Sequence, residues 1–310
     1  MRLNPKELKG PARQAMRAAV PSALLMTLLF WLLTDVLDTM VTIFAPDASL
    51  DSLTASLSGQ GADGWMAMFL SILLTLYLVV MRFGYRAWAL RTARGEQAGF
   101  GCLLDGFGMA GRVLLMQMHI FLRMFLWCIA CTTVLAGVLT SVFLLLDLNP
   151  YLLYLLVWLL IPLIYLAVLL FTMRYSLAAY LLWDYPDAGP GTAVRRSAEM
   201  MRGNVWRMFR LYLSFWLWFL AGFALSSAAE LGMLLPFADT IRQLLEVQDY
   251  AALIVLVQRA LHTPAALLCV LLAGLPLSLF FTPYFHLAQA NFYRDLSRET
   301  VGPAFSGESF

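Results

Sequence analysis

Apolar residues fall into six long blocks along this chain, separated by stretches where arginines and carboxylates collect. The blocks run approximately over 20–44, 65–81, 121–146, 152–172, 211–235 and 265–287. A helix that crosses the hydrocarbon needs about 20 predominantly apolar residues. Each block is therefore predicted to be a transmembrane helix. Strands are not an option, because lipid satisfies no open backbone edge and the alternating pattern of barrel strands is absent. Lys6, Lys9, Arg13 and Arg17 precede the first block as they would a signal peptide. Its apolar run is too long for one, and no small-residue cleavage site follows before Asp35 and Asp38, so it reads as an uncleaved first helix.

Between the blocks the period changes to that of surface helices. Val194, Ala198, Met201, Val205 and Met208 form one stripe of a helix over 193–208, with Arg195, Glu199 and Arg202 off it. Phe100, Leu103, Leu104 and Phe107 form a second stripe, in a stretch weakened by glycines. Leu8, Ala12, Ala15 and Ala19 form a third, after Asn4–Pro5 as cap and first turn. The ends of the even-numbered blocks can also be laid over one another: MRFGYRAWAL from Met81, MRYSLAAYLL from Met173 and TPYFHLAQANFY from Thr282. The implied unit is a surface helix, a spanning helix, an outer turn and a returning helix, used three times. The expected fold is all-α: a polytopic membrane protein with six transmembrane helices in three hairpins, plus cytosolic amphipathic helices. One transmembrane domain covers 1–310. Within it lie a cytosolic N-terminal segment at 1–17, an interfacial insertion at 237–263 between Pro236 and Pro264, and a flexible tail at 298–310.

Composition agrees with the pattern. Hydrophobic residues make up 61% of the chain and charged ones 13%, against roughly 45–50% and about 25% in a soluble domain. Charge adds orientation. The N-terminal stretch holds Arg2, Lys6, Lys9, Arg13 and Arg17; the second connection holds Arg82, Arg86, Arg91, Arg94 and Arg112. The fourth connection holds Arg195, Arg196, Arg202, Arg207 and Arg210, and Arg294 and Arg298 follow the last block. The opposite face has only Arg242 and Arg259, among seven carboxylates. A 17 to 2 split predicts cytosolic N- and C-termini in a multi-pass protein. Of the four cysteines, Cys128 and Cys131 form C-x-x-C inside an apolar helix, where packed thiols are expected rather than a redox pair.

Several short motifs resemble a known family. They are Ser197-Ala-Glu-Met-Met-Arg-Gly-Asn, Phe209 with Leu213-Ser-Phe-Trp, Pro283-Tyr284, and Phe292-Tyr293-Arg-Asp-Leu296. Arg94-Gly-Glu96 with Leu104-Asp-Gly-Phe107 fits as well. From about Tyr85 onward the chain is similar to a bacterial membrane family known as domain-of-unknown-function family 975. It departs from that pattern where the 237–263 insertion replaces a short Gly-rich turn. The resemblance implies a multi-spanning protein of the bacterial plasma (inner) membrane and carries over no activity.

Candidate chemistry is sparse. Asp35, Asp38, His119, Arg123, Arg174 and Glu230 are polar or charged within or beside apolar blocks, where charge is costly and usually has a reason. They read either as a polar track for an ion or substrate, or as interfacial groups that snorkel or pair locally. Gly274, Pro276 and Pro283 mark the sixth helix as broken around a site or simply kinked. No hydrolytic, metal-binding or phosphate-loop motif occurs, and no catalytic residue, metal or cofactor is expected. Arg195, Arg196, Arg202 and Arg207 lie beside the membrane, so anionic lipid headgroups are the expected partner, not nucleic acid. A membrane-protein partner is the other possibility. The sequence favours a non-catalytic component that organises lipid or a partner protein; a transporter or channel is the alternative.

Overall fold

The computed structural model describes residues 5–44, 63–146 and 150–300. The stretch 45–62, residues 147–149 and, from the expected flexible tail, 301–310 lie outside them. Every regular element among the described residues is helical. In chain order these are α1 (Pro5–Ala18), α2 (Ala23–Trp31), a π-helical turn (Leu32–Val36), α3 (Leu37–Phe44), α4 (Asp63–Ala93) and α5 (Cys102–Gly108). Then follow α6 (Ala110–Leu146), α7 (Pro150–Met173), α8 (Ala178–Asp184), α9 (Pro190–Met200) and α10 (Val205–Leu213). The chain closes with α11 (Trp216–Leu234), α12 (Ala238–Glu246), α13 (Tyr250–Leu261) and α14 (Pro264–Thr300). Six spans are long and apolar enough to cross a membrane: Ala23–Phe44, Met68–Ala93, Ala110–Val138, Ile164–Asp184, Trp216–Glu246 and Pro264–Glu299.

Local chemistry sets several of the boundaries. The Ser22 hydroxyl accepts from the Leu25 amide and caps α2. Asp249 caps α13 in the same way through the Ala252 amide. Beyond α4, the chain turns at Gly95 with φ of +83°, a conformation that only glycine adopts without strain. Several expected boundaries shift, and the second span, expected to end at 81, runs on to Ala93. The third span begins at Ala110, not 121, because Val113 and Met116 find buried sites against the rest of the bundle and Arg112 does not interrupt a helix whose face is exposed there. The sixth span continues to Thr300, with Pro276 and Pro283 inside one uninterrupted helix. Of the two readings of this helix, the one in which proline is tolerated within a spanning segment agrees with its continuity, and the broken helix does not. Residues 298–300 of the expected tail belong to it.

Packing is very uneven along the bundle. The largest fully buried side chains are Trp88, Tyr85, Tyr180, Tyr293, Phe215 and Phe292. They come from the C-terminal parts of α4 and α14, from α8, and from the turn before α11, and together they form one aromatic core at one end of the molecule. At that end α1 lies on α14, α5 on α4, and α9 on α6 and α8. The approach of α5 to α4 is close enough to require glycine: a Cβ on Gly84 would lie 2.2 Å from the Leu103 carbonyl oxygen. Toward the other end the helices part. No residue is buried in the most apolar stretch of Ala110–Val138 or of Trp216–Glu246. A helix that is apolar all round yet uncovered by protein must meet another apolar phase.

Ion pairs tie the packed end together. Arg94 reaches Asp184 at 2.6 Å, Arg207 reaches Asp295 at 3.0 Å and Glu299 at 3.2 Å, and Arg91 reaches Glu96 at 3.3 Å and Asp105 at 3.5 Å. Lys9 of α1 donates to the Ser214 carbonyl at 2.7 Å and sits over the Phe215 ring. Its partial burial, then the neighbouring Arg13, holds its pKa below the usual lysine value. Since most arginines gather here, this is the basic end; the opposite one, with Asp35, Asp38, Glu230, Asp239 and Asp249, is the acidic end.

Candidate functional site

The three sequence segments that align with one another, from Met81, Met173 and Thr282, converge in the aromatic core of the basic end. Each delivers polar groups as well as apolar ones. Tyr85 is fully buried, its ring 5.2 Å from that of His286 and 5.1 Å from that of Trp88. Its hydroxyl lies 2.7 Å from the Thr27 hydroxyl. Thr27 already donates to the Ala23 carbonyl, so Tyr85 is the donor and that pair is satisfied.

One turn of helix along α14 from His286, Gln289 donates through Nε2 to the Tyr212 hydroxyl at 2.6 Å. Burial raises the Tyr212 pKa above the usual phenol value, against the smaller opposing effects of Arg86 and of the Gln289 hydrogen bond. Tyr180, on α8, stacks on Tyr293 with centroids 5.4 Å apart. Tyr293 in turn donates to Asp184 at 2.7 Å, on the same carboxylate oxygen that receives Arg94. That hydrogen bond is the main reason the Arg94 guanidinium binds its proton even more tightly than usual. The Tyr293–Asp184–Arg94 part of the network is therefore closed.

The inner part is open. Arg86 follows Tyr85 on α4, whose ring lies 5.2 Å from that of His286 on α14, and its charge is felt at Tyr180, Tyr212 and His286. Among the described residues no carboxylate lies within ion-pair distance of it. The Tyr180 hydroxyl and His286 Nδ1 are buried without a hydrogen-bond partner. A cation, an unpartnered hydroxyl and an unpartnered ring nitrogen thus gather around the same part of α14, where Tyr180 stacks on Tyr293 and Tyr85 meets His286.

The residues singled out by sequence lie elsewhere and in separate places. Asp35, Asp38 and Glu230 come together: with Thr39, His262 and Leu267 they line a cavity of about 410 Å³ at the acidic end. All three carboxylates are exposed, and Asp35 accepts from Thr34 in the π-helical turn. Arg123 does not line that cavity; it lies over the Tyr175 ring, 5.9 Å from its centroid, instead of beside a carboxylate. Arg174 is exposed and lies over Phe171. His119 is exposed, its Nδ1 2.7 Å from the Leu115 carbonyl. Arg195 faces Glu199 at 3.9 Å, Arg196 lies over Tyr185, and Arg202 is exposed. Arg207, expected to meet headgroups, has its donors directed at Asp295, Glu299 and Asn204.

Sequence reasoning counted Arg86 as one more basic connection residue, and it did not single out Tyr180, Tyr212, His286 or Gln289. The available signal was His286 and Gln289 three residues apart on one face of an apolar helix, within a segment already marked by its likeness to two others.

A family model described as protein of unknown function (DUF975) matches residues 1–300. No curated protein and no solved structure matches the chain.

Proposed function

We propose, for a chain that belongs to the family of proteins of unknown function DUF975, a role as a non-catalytic component of the bacterial plasma membrane that gathers anionic lipid at its cytosolic face. One observation carries this reading. Arg17, Arg82, Arg202 and Arg210 are exposed around the basic end and make no ion pair among the described residues. Such residues contribute on the order of 1 kcal/mol each near an anionic membrane surface, and less as salt rises. In this reading the basic end is cytosolic, α1 and α9 are amphipathic helices at the headgroup layer, and the spans form three hairpins. Ala193 and Val194 turn inward on α9 while Arg195 and Glu199 face out, which is the pattern such a helix needs. The uncovered apolar stretches of Ala110–Val138 and Trp216–Glu246 meet lipid or a membrane-protein partner.

Extraction of the full chain in polymer-bounded native discs tests the lipid role directly. Wild type is expected to retain more anionic phospholipid per disc than the surrounding membrane, and the enrichment should fall in an Arg17→Gln, Arg82→Gln, Arg202→Gln, Arg210→Gln variant. Equal lipid composition for the two proteins would sink the idea. Orientation is tested by reporter fusions: those placed after Arg94 and Arg202 should report the cytosol, and one at Gln248 the outside. An outside signal at Arg202 would defeat the six-span arrangement.

Transport of a cation has one observation in its favour, the acidic-end cavity that joins Asp35, Asp38, Glu230 and His262. Against it, the carboxylates are exposed, Arg123 lies apart from them, and the sixth helix is unbroken.

A further inference from the structure

Arg86 presents an electrostatic problem that the protein alone does not solve. Arg94 and Arg207, which share its end of the molecule, each have a carboxylate within 3.0 Å. Arg86 has none among the described residues, and it is half-buried. A cation half withdrawn from water without a counter-charge gains most where an anion comes to it.

The groups around it are also of one kind. Tyr180 is 1% exposed and its hydroxyl proton has no acceptor. The Tyr212 oxygen already accepts from Gln289, which leaves its own proton to donate elsewhere, and no described residue takes it. His286 Nδ1 is buried and open, able to donate to an anion as imidazolium or to accept from a protonated one. Three elements, α4, α8 and α14, and the tyrosine of α10 thus bring a guanidinium fork, two free hydroxyl donors and an imidazole to one place. A planar five-donor fork beside tyrosine hydroxyls matches the several oxygens of a phosphate group.

We propose that Arg86, Tyr180, Tyr212 and His286 form an interior binding site for a phosphate oxyanion, held at the basic end of the bundle between α4, α8, α10 and α14. The phosphate belongs either to a free anion or to the headgroup of a phospholipid, since both offer the same oxygens. This site is distinct from the exposed arginine rim and does not rest on the lipid reading above. It is saturable and stoichiometric, where the rim is diffuse and screened by salt.

The test uses the full chain in a zwitterionic detergent, with thermal unfolding followed by intrinsic fluorescence of its nine tryptophans. One arm titrates inorganic phosphate against chloride at equal ionic strength; the other titrates a short-chain phosphatidylglycerol into the same micelles. A ligand bound only by the folded state raises the transition in a saturable way. Wild type is expected to show that rise in at least one arm. A response to inorganic phosphate identifies the free anion as sufficient, and a response to the lipid alone identifies the headgroup; either supports the site. Arg86→Gln should abolish the response. Tyr180→Phe and Tyr212→Phe, which keep the rings and remove one hydroxyl each, should weaken binding by about tenfold or more apiece, the usual consequence of losing a hydrogen bond to a charged group. The Arg202→Gln, Arg210→Gln variant should respond as wild type does, which separates this site from the rim. Absence of a saturable response in both arms would overturn the proposal. So would an affinity unchanged by Arg86→Gln or, should that variant fail to fold, unchanged in the Tyr180→Phe, Tyr212→Phe protein.

Discussion

Arg207→Met alone is expected to destabilise the protein by about 3–5 kcal/mol, and the pair Arg207→Met with Asp295→Leu by clearly less. The reason lies in what each change leaves behind. The Arg207 and Asp295 side chains are both 13% exposed, and their charged atoms lie 3.0 Å apart. The remaining Arg207 donors reach Glu299 and the Asn204 side-chain oxygen, and the guanidinium lies over the Phe292 ring. Removing the arginine strands the Asp295 carboxylate in a setting with little water. Removing both replaces an ion pair by apolar contact and leaves only the more exposed Glu299 to find solvent. Denaturation of both variants in the same micelles checks this, and equal losses for the single and double changes would refute it. Because these arginine donors are occupied by protein, the loss should be the same with or without anionic lipid.

Gly84→Val should cost about 3 kcal/mol, the upper end of the range for overpacked sites. A Cβ there would stand 2.2 Å from the Leu103 oxygen and 2.8 Å from its carbonyl carbon. Both are backbone atoms, so no rotamer change relieves the clash; α5 itself must move off α4. Gly106 makes the reciprocal approach, with its Cβ position 2.8 Å from the Val80 oxygen. Gly108, at the end of the same short helix, has nothing within 4 Å and is an internal control. Gly108→Ala should change stability by no more than about 0.5 kcal/mol, as surface substitutions do. If Gly84→Val melted within a degree of Gly108→Ala, the close packing of α5 on α4 would be refuted.

The spans were legible because their signal is local: an apolar run of sufficient length has one good solution in lipid, whatever its neighbours do. Their ends were less so. The run at 265–287 stops where polar residues begin, yet α14 continues to Thr300 because Tyr293 meets Asp184 and Asp295 meets Arg207. Those partners are separated by 109 and 88 residues, and nothing in the local pattern announces them. The same difference governs the polar sites. Asp35, Asp38 and Glu230 stand out as charges in apolar text, and the structure does group them, though His262 joins from the insertion unannounced. The cluster around Arg86 was hidden by its composition. One arginine in a basic stretch, tyrosines in aromatic-rich helices and a histidine near a helix end are each ordinary alone. Only their convergence from four elements gives them chemistry, and convergence is tertiary.

The long last helix has a mechanical side. With about 1.5 Å of rise per residue, its 37 residues make a rod of about 55 Å. Leu267, Val270 and Leu271 near one end form part of the wall of the acidic cavity, and His286 and Gln289 toward the other meet Tyr85 and Tyr212. Between them lie Pro276 and Pro283, each of which removes one backbone donor from the helical ladder. Bending stiffness is therefore lowest in the interval that separates the two polar places and higher on either side of it. The helix is built as two stiffer arms joined where Pro276 and Pro283 thin its hydrogen-bond ladder.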